Sequence, residues 1–541
     1  MRLARAWRRI VAGGDPDVVT RLAADVARIP VPASSSVCRW LGIPPDLHGD
    51  VELCLRQYVL SLTLYRSLQP GLLLAATGRR ASIPVPPEWR AWLRARGLDI
   101  SEPGSRLRYA ALAAREAIRG LRLAAALASL SISRRLPDTL AGSAVFARLP
   151  AGFVPGAAAT PDTHFVLGCR ERIGVPTLYL ETAASRSDLP AGVVAIAQPV
   201  PRLPSATALL RFVGDVLRGT ITATACGGAG TAWPALLARD TVLLHYARRA
   251  GVGRLPRGYA FENSTWMHRP LHSRWAARAA GVPSYMVFYS TNMDEAVRTS
   301  PDVRPTFLPG YGIMDWDGYW AWDDWHAELM AAFGQPHERI QVVGPQMLPD
   351  NGLALEIGGG RLLSVFDVAP HAPSRLAAIG LVNAYYTAEI AARFLRDIAE
   401  EGAAAGYSVA MKQKRDIGRR EDPRYRRARG ELARRGLLHA VDAGVSAQRL
   451  AGVSDLVVCF PFTSPALFPT APGGVSVFYD PTGNLIATER QRHGRRLIRG
   501  RDELRAFLAE AAAPAEQTLV AGRDAAGGRA SKDLDVPGDA T

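Results

Sequence analysis

Short apolar runs alternate with amphipathic stretches along most of this chain, the pattern of layered α/β architecture with buried strands joined by helices. Apolar runs predict strands at Gly71–Ala75, His164–Leu167, Thr177–Leu180, Val193–Ile196, Tyr259–Phe261, Ser284–Tyr289 and Ile340–Val343. Helical spacing predicts Pro87–Arg96, opened by proline, then Arg106–Ser131, Trp233–Arg249, and a helix carrying Trp322, Trp325, Leu329 and Phe333. After Gly358-Gly359-Gly360 a second series begins. Its strands are Leu362–Phe366, Tyr407–Met411, Leu456–Phe460 and Val475–Tyr479. Its helices are Thr387–Glu401, Arg424–Gly436, a short one from Pro465, and Arg501–Ala511.

This pattern predicts two α/β domains, 1–345 with a helical N-terminal elaboration and 346–512, followed by a disordered tail over 513–541. No internal repeat is visible. The most apolar helical stretch, Leu121–Ile132, is too short to cross a membrane and reads as a buried helix. In the first twelve residues, Leu3, Trp7, Ile10 and Val11 share a helical face apart from most of the arginines. That pattern suits docking either on the protein's own body or peripherally on an anionic membrane. No signal-peptide pattern follows the first charges. The five cysteines lack CxxC or Cys/His spacing. A reducing, cytoplasmic setting without a disulfide framework or zinc site is expected.

Charge sharpens the picture. The net charge is +15, which draws the chain toward anionic partners. Only three of its 65 basic residues are lysines, and two of these are Lys412 and Lys414. Arginine carries a rigid fork and lysine a compact ammonium, so a surviving pair of lysines suits a tight phosphate site. Both lie at the carboxyl end of a predicted strand. Asp367 and Asp480 end two further strands, and Pro461-Phe462-Thr463-Ser464 follows a third. Open α/β sheets bind ligands at the carboxyl ends of their strands. Thr463 or Ser464 capping a helix there would present N–H donors to phosphate. Lys412, Lys414, Thr463, Ser464, Asp367 and Asp480 therefore form a candidate nucleotide-diphosphate site.

The first domain has its own strand ends. Glu262 is followed by Asn263 and Ser264, and the next strand by Ser290, Thr291 and Asn292. Glu262 is a candidate general base, with the other five on the acceptor side. His268 and His272 are separated by Pro270 and lack a third ligand, so no metal is expected. Trp316, Trp320, Trp322 and Trp325 crowd beside Asp315, Asp317, Asp323 and Asp324, which suits either sugar recognition or packing between domains. Asp315-Trp-Asp317 has the short DxD spacing of metal-dependent sugar transferases. No Walker, GxSxG or Rossmann glycine motif is present, and Gly227-Gly228-Ala229-Gly230 has no Lys-Ser/Thr after it.

Over roughly residues 255–510 the chain resembles the bacterial polysaccharide biosynthesis PFTS-motif proteins. The resemblance rests on Pro461-Phe462-Thr463-Ser464, Phe261-Glu262-Asn263-Ser264, Arg269-Pro270, Phe288-Tyr289-Ser290-Thr291-Asn292 and the Lys412/Lys414 strand. The layout is similar to GT-B glycosyltransferases. That implies two Rossmann-like domains facing a cleft, with donor nucleotide on the second domain and a glycan or lipid-linked acceptor on the first. The expected activity is sugar transfer from a nucleotide-sugar, which is substrate rather than cofactor. Two rival readings are phosphopolyol transfer in the same cleft and non-catalytic polyanion binding, driven by the +15 charge and involving the Arg424–Arg435 face.

Overall fold

The computed structural model describes residues 41–61, 71–85, 87–157, 159–161, 164–183, 188–226, 236–262, 268–288, 311–345, 359–368, 385–413, 421–442 and 444–512, with a few single positions besides. Seven strands build the first sheet: β1 (Ser143–Ala147), β2 (Thr177–Glu181), β3 (Val193–Ile196), β4 (Gly258–Glu262), β5 (Ser284–Val287), β6 (Gly318–Ala321) and β7 (Ile340–Val342). Their order is β3-β2-β1-β4-β5-β6-β7. Six build the second: β8 (Leu362–Phe366), β9 (Ser408–Lys412), β10 (His439–Val441), β11 (Leu456–Cys459), β12 (Val475–Asp480) and β13 (Arg496–Arg499), ordered β10-β9-β8-β11-β12-β13. Every neighbouring pair is parallel. Each sheet begins in its middle, grows one way, then returns to grow the other. This is the doubly wound Rossmann order, and it reverses between β1 and β4 and again between β8 and β11.

The burial pattern explains which strands the apolar runs revealed. β4, β8 and β11 are buried along their whole length, so they read as continuous hydrophobic runs. The edge strands β10 and β13 are short and partly exposed, and carry no such signal. β1 and β6 are fully buried but were not expected. Two expected strands are helical. Residues 71–75 form a helical turn rather than a strand. His164–Leu167 opens a helix in which His164 caps Val166 N at 3.2 Å and Gly174 closes the end in a left-handed conformation. A capped start and a glycine stop override a four-residue apolar run.

Helices α1 (His48–Ser61), α2 (Pro87–Ala95) and α3 (Glu102–Ile132) precede β1 as the expected elaboration. They are followed by α4 (Phe165–Ile173), α5 (Ala206–Cys226), α6 (Ala238–Ala250), α7 (Leu271–Ala280) and α8 (Asp324–Ala332). α3 packs closely on α6 because Gly120 faces Ala238; a Cβ at Gly120 would lie 2.7 Å from that of Ala238. Around the second sheet run α9 (Ala388–Ala404), α10 (Pro423–Arg434), α11 (Ala447–Gly452), α12 (Glu489–Arg492) and α13 (Gly500–Ala512). Thr387 and Asp422 cap α9 and α10. The two units meet near their carboxyl edges. Trp325, at the start of α8, packs against both cores, and Leu467, just after the Pro461–Ser464 motif, packs against the first. His493 Nδ1 lies 2.9 Å from Asp323. The tail over 513–541, the first twelve residues and the 227–230 glycine cluster lie outside the described residues. Among the described residues no helix is long and apolar enough to cross a membrane.

Candidate functional site

The Pro461–Ser464 segment stands at the switch point of the second sheet. β11 pairs with β8 with Cys459 opposite Phe366, and Phe460 N donates to Phe366 O at 2.8 Å. The chain then turns sharply. Thr463 N and Thr463 Oγ1 both donate to Phe460 O, at 3.2 and 2.8 Å. Pro461 and Phe462 fill the two corners of this turn, and Phe462 takes φ +62°. That is the pattern of a type II turn, which usually places glycine at the left-handed corner. Phe462 holds it because its ring is buried edge-on against Phe478 at 5.7 Å. Tyr386 Oη donates to Pro461 O at 3.0 Å, and Phe394 packs on Phe460 at 4.7 Å. The backbone is thus braced in a conformation that an isolated peptide would avoid.

The expected helix after the motif is one 3-10 turn, Ser464–Leu467, and Thr463 bonds its own turn instead of capping it. A four-residue turn has no helix macrodipole, so the expectation of a capped helix N-terminus facing phosphate at this point is corrected. What remains are the two half-buried hydroxyl residues Thr463 and Ser464.

Across the switch point, β8 delivers Asp367 and the adjoining β9 delivers Lys412, with Phe366 opposite Lys412 in register. Asp367 is 4% exposed. One of its oxygens accepts from Tyr425 Oη, and Oδ1 has no hydrogen-bond partner among the described residues. Burial pushes its pKa up to about 7, opposed by Arg429 and assisted by Glu421. Lys412 is 7% exposed, and its Nζ donates to Gln413 O at 3.1 Å. Burial draws its pKa down against the pull of Asp367 and Asp442. Asp480 ends β12 on the same edge, but its oxygens serve its own turn. They accept from Tyr385 Oη at 2.6 Å, Thr482 N at 2.9 Å, Thr482 Oγ1 at 2.7 Å and Leu485 N at 2.8 Å. It is fully buried and holds the fold rather than facing a ligand. Lys414 lies outside the described residues.

At the switch point of the first sheet, the register that pairs Ala147 with Phe261 sets Arg148 beside Glu262. Arg148 was missed with its strand; a run such as Ala144-Val-Phe-Ala147 ending in arginine was the available signal. Its backbone is left-handed, φ +55°, and its N–H donates to Glu181 at 3.0 Å. Glu262 is 1% exposed. A general base must reach the proton it takes, so this burial counts against direct contact with an acceptor hydroxyl. Ser290 is half-buried after β5. Asn263, Ser264, Thr291 and Asn292 lie outside the described residues.

The tryptophan cluster is mostly core. Trp316 and Trp322 are buried on one face of the first sheet and Trp320 on the other. Only Trp325 reaches the junction between units. The DxD carboxylates precede β6 and face away from the carboxyl edge. Arg269 binds Asp317, and Arg274 and Arg339 bind Asp315. This is an ion-paired staple, not a sugar or metal site. His268 also gains partners. Its Nε2 lies 3.2 Å from Asp240 and its Nδ1 4.0 Å from Cys54. These three residues have the spacing of a metal site. Yet both ring nitrogens are engaged, Asp240 also accepts from Leu271 N, and Arg148 and Arg274 add positive charge nearby. The network ties α1, α6 and α7 together. Of the six arginines over 424–435, Arg424, Arg426 and Arg429 in α10 and Arg435 at its end each meet a carboxylate.

Among solved structures, the chain is similar to Arabidopsis thaliana UGT89C1 complexed with UDP-L-rhamnose, at 13% identity and TM-score 0.37, covering 71% of this chain and 93% of that one. It is also similar to UDP-GlcNAc 2-epimerase from Methanocaldococcus jannaschii, at 10% identity and TM-score 0.32, covering 69% and 91%. A third is Os79 from O. sativa in complex with UDP and deoxynivalenol-3-glucoside, at 13% identity and TM-score 0.31, covering 70% and 92%. No curated protein matches the chain. The sequence profile described as "Polysaccharide biosynthesis PFTS motif protein" matches residues 218–508, more than half of the chain, including β4 to β13 and the whole switch point of the second sheet. With its Pro461–Ser464 turn set at the switch point of the second sheet, the chain belongs to the polysaccharide biosynthesis PFTS motif family.

Proposed function

We propose that this protein is a glycosyltransferase of polysaccharide biosynthesis, taking a nucleotide-sugar donor on the second sheet and a glycan or lipid-linked acceptor on the first. The observation that carries the reading is the convergence at the second switch point. There a braced turn with two hydroxyl residues, a buried ammonium and a buried carboxyl of raised pKa occupy adjoining strand ends. Crevices of this kind in doubly wound sheets hold nucleotides.

In the transfer, an acceptor hydroxyl oxygen bonds to the anomeric carbon. The bond from that carbon to the donor phosphate oxygen breaks, and its electron pair stays on the phosphate. Lys412 and the hydroxyls of Thr463 and Ser464 are the groups offered to that growing charge. Asp367 in its protonated form adds a donor instead of a repelling charge. The proton leaving the acceptor passes to a base at the first edge. Glu262 is the proposed carboxylate there, set beside Arg148 by the strand register, and as a buried group it takes that proton through one bridging water rather than by direct contact.

Thermal shift and calorimetry across UDP-, GDP-, CMP- and dTDP-sugars test the reading. One donor class should stabilise the protein, since a ligand that binds only the native state raises its melting temperature. Stabilisation by none of them refutes it. Lys412→Arg should weaken donor binding roughly tenfold although charge is kept, because the planar fork does not fit a buried ammonium site. Glu262→Gln should lower kcat while leaving donor affinity unchanged. The pairing of the α10 arginines with carboxylates disfavours the polyanion-binding alternative.

A further inference from the structure

Helix α3 is amphipathic in an unusual sense: its outer face is itself divided. Leu107, Ile118, Leu121 and Ile132 are exposed, Leu107 at 72% and Ile132 at 68%. At about 100° per residue these four fall within an arc of roughly 60°. Exposed Ala111, Ala114 and Ala125 fill the same stripe. Along one flank of it stand the exposed Arg108, Arg115, Arg119 and Arg122. The only acid inside the helix beyond its first residue, Glu116, is buried on the opposite side and held by Arg115 and Arg119. The stripe is about 37 Å long at 1.5 Å per residue.

The neighbouring helix repeats the pattern. On α5, Leu210, Val213 and Leu217 are exposed at helical spacing, with Arg211 and Arg218 exposed beside them. The two helices share one small core through Leu123, Ala124 and Leu127 of α3 and Phe212 and Val216 of α5.

We propose that the α3 face docks on an anionic lipid bilayer, its apolar stripe entering the headgroup boundary and its arginine flank meeting lipid phosphates. Charge complementarity selects this occupant. A second copy would bring two arginine flanks of like sign together, whereas an anionic bilayer offers opposite charge along the whole helix and an apolar layer beneath it. Exposed leucines and isoleucines in a single long row cost solubility unless something covers them. The surface is separate from both switch points, so the proposal stands whether or not the transferase reading does.

Co-sedimentation of the full chain with vesicles tests it. The protein should pellet with phosphatidylcholine–phosphatidylglycerol vesicles and not with phosphatidylcholine alone, and added salt should weaken binding. Arg108→Gln/Arg122→Gln should reduce vesicle affinity roughly tenfold or more, given that each basic side chain near the surface contributes about a factor of five. Ile118→Ser/Leu121→Ser should do the same with an unchanged circular dichroism spectrum, since both side chains lie on the exposed face of the helix, outside its packed core. The proposal is overturned by failure to pellet with anionic vesicles or by wild-type binding in both variants. A dimer or an acidic protein partner that is lost on Ile118→Ser/Leu121→Ser, without vesicle binding, also overturns it.

Discussion

Phe462 shows how one residue can define a site without touching a ligand. Its left-handed backbone is costly for a bulky side chain, on the order of 1 kcal/mol. Phe462→Gly removes that cost but deletes a buried ring worth about 3 kcal/mol. The variant should therefore unfold at lower urea, by about 2 kcal/mol, and the turn should lose its definition. Asp367 makes a pH prediction. Its folded pKa is raised to about 7 by burial, above the ordinary 3.8 of the unfolded chain. Its contribution is thus full below pH 3.8 and is lost as pH rises through about 7. Asp367→Asn should abolish that downward slope and gain on the order of 4 kcal/mol at alkaline pH. Affinity for an anionic donor should also fall in the wild type as pH rises through about 7, and the variant should lack this fall. Lys412, Thr463 and Asp367 were legible in the sequence because each closes an apolar run. Asp480 looked equivalent, and only its four donors show that its oxygens are already committed.

At the scale of elements, the buried arginines of the first unit do work that their sequence context conceals. Arg274 is 2% exposed and joins α7 to Asp50 in α1 and to Asp315 before β6. Arg274→Met should destabilise the protein by about 3 kcal/mol, because removing one partner leaves buried carboxylates unbalanced. Chemical denaturation measures this directly. The buried strands β4, β8 and β11 were legible as continuous apolar runs, whereas β1 and β6, equally buried, were missed because serine, glycine and alanine shorten theirs. Of the edge strands, β3 and β7 were legible and β10 and β13 were not, because histidine and arginine interrupt their short runs. The 71–75 and Phe165–Ile173 helices were misread as strands for the converse reason: a short apolar run has no period long enough to separate the two.

For the whole molecule, the contact between units that the described residues make centres on Trp325 and Leu467. Trp325 bridges the two cores, and His493 pairs with Asp323 beside it. Trp325→Ala should uncouple the units. Calorimetry should then show unfolding that is broader or split into two steps, while the wild type unfolds in fewer. Units joined through such a contact move relative to one another by default, a motion that the proposed transfer between the two carboxyl edges would use. The +15 charge looked in sequence like a single basic segment. In three dimensions four of the six arginines over 424–435 meet carboxylates, while Arg108, Arg115, Arg119 and Arg122 stand exposed along one flank of the α3 stripe, Arg115 and Arg119 sharing the single carboxylate of Glu116.

Residue order alone sets the α/β class, the placement of the Pro461–Ser464 motif after a buried strand, and the carboxyl-end residues of the second series. Local periodicity and strand-to-turn chemistry are encoded within a few neighbouring residues. Only the tertiary structure decided the strand order. That order sets the motif between β8 and β11 and brings Arg148 beside Glu262, because parallel neighbours come from distant parts of the chain. It also decided which charged groups are already satisfied, as with Asp480, Asp315 and Asp317, since a partner in space leaves no trace in the spacing of the residues that meet it.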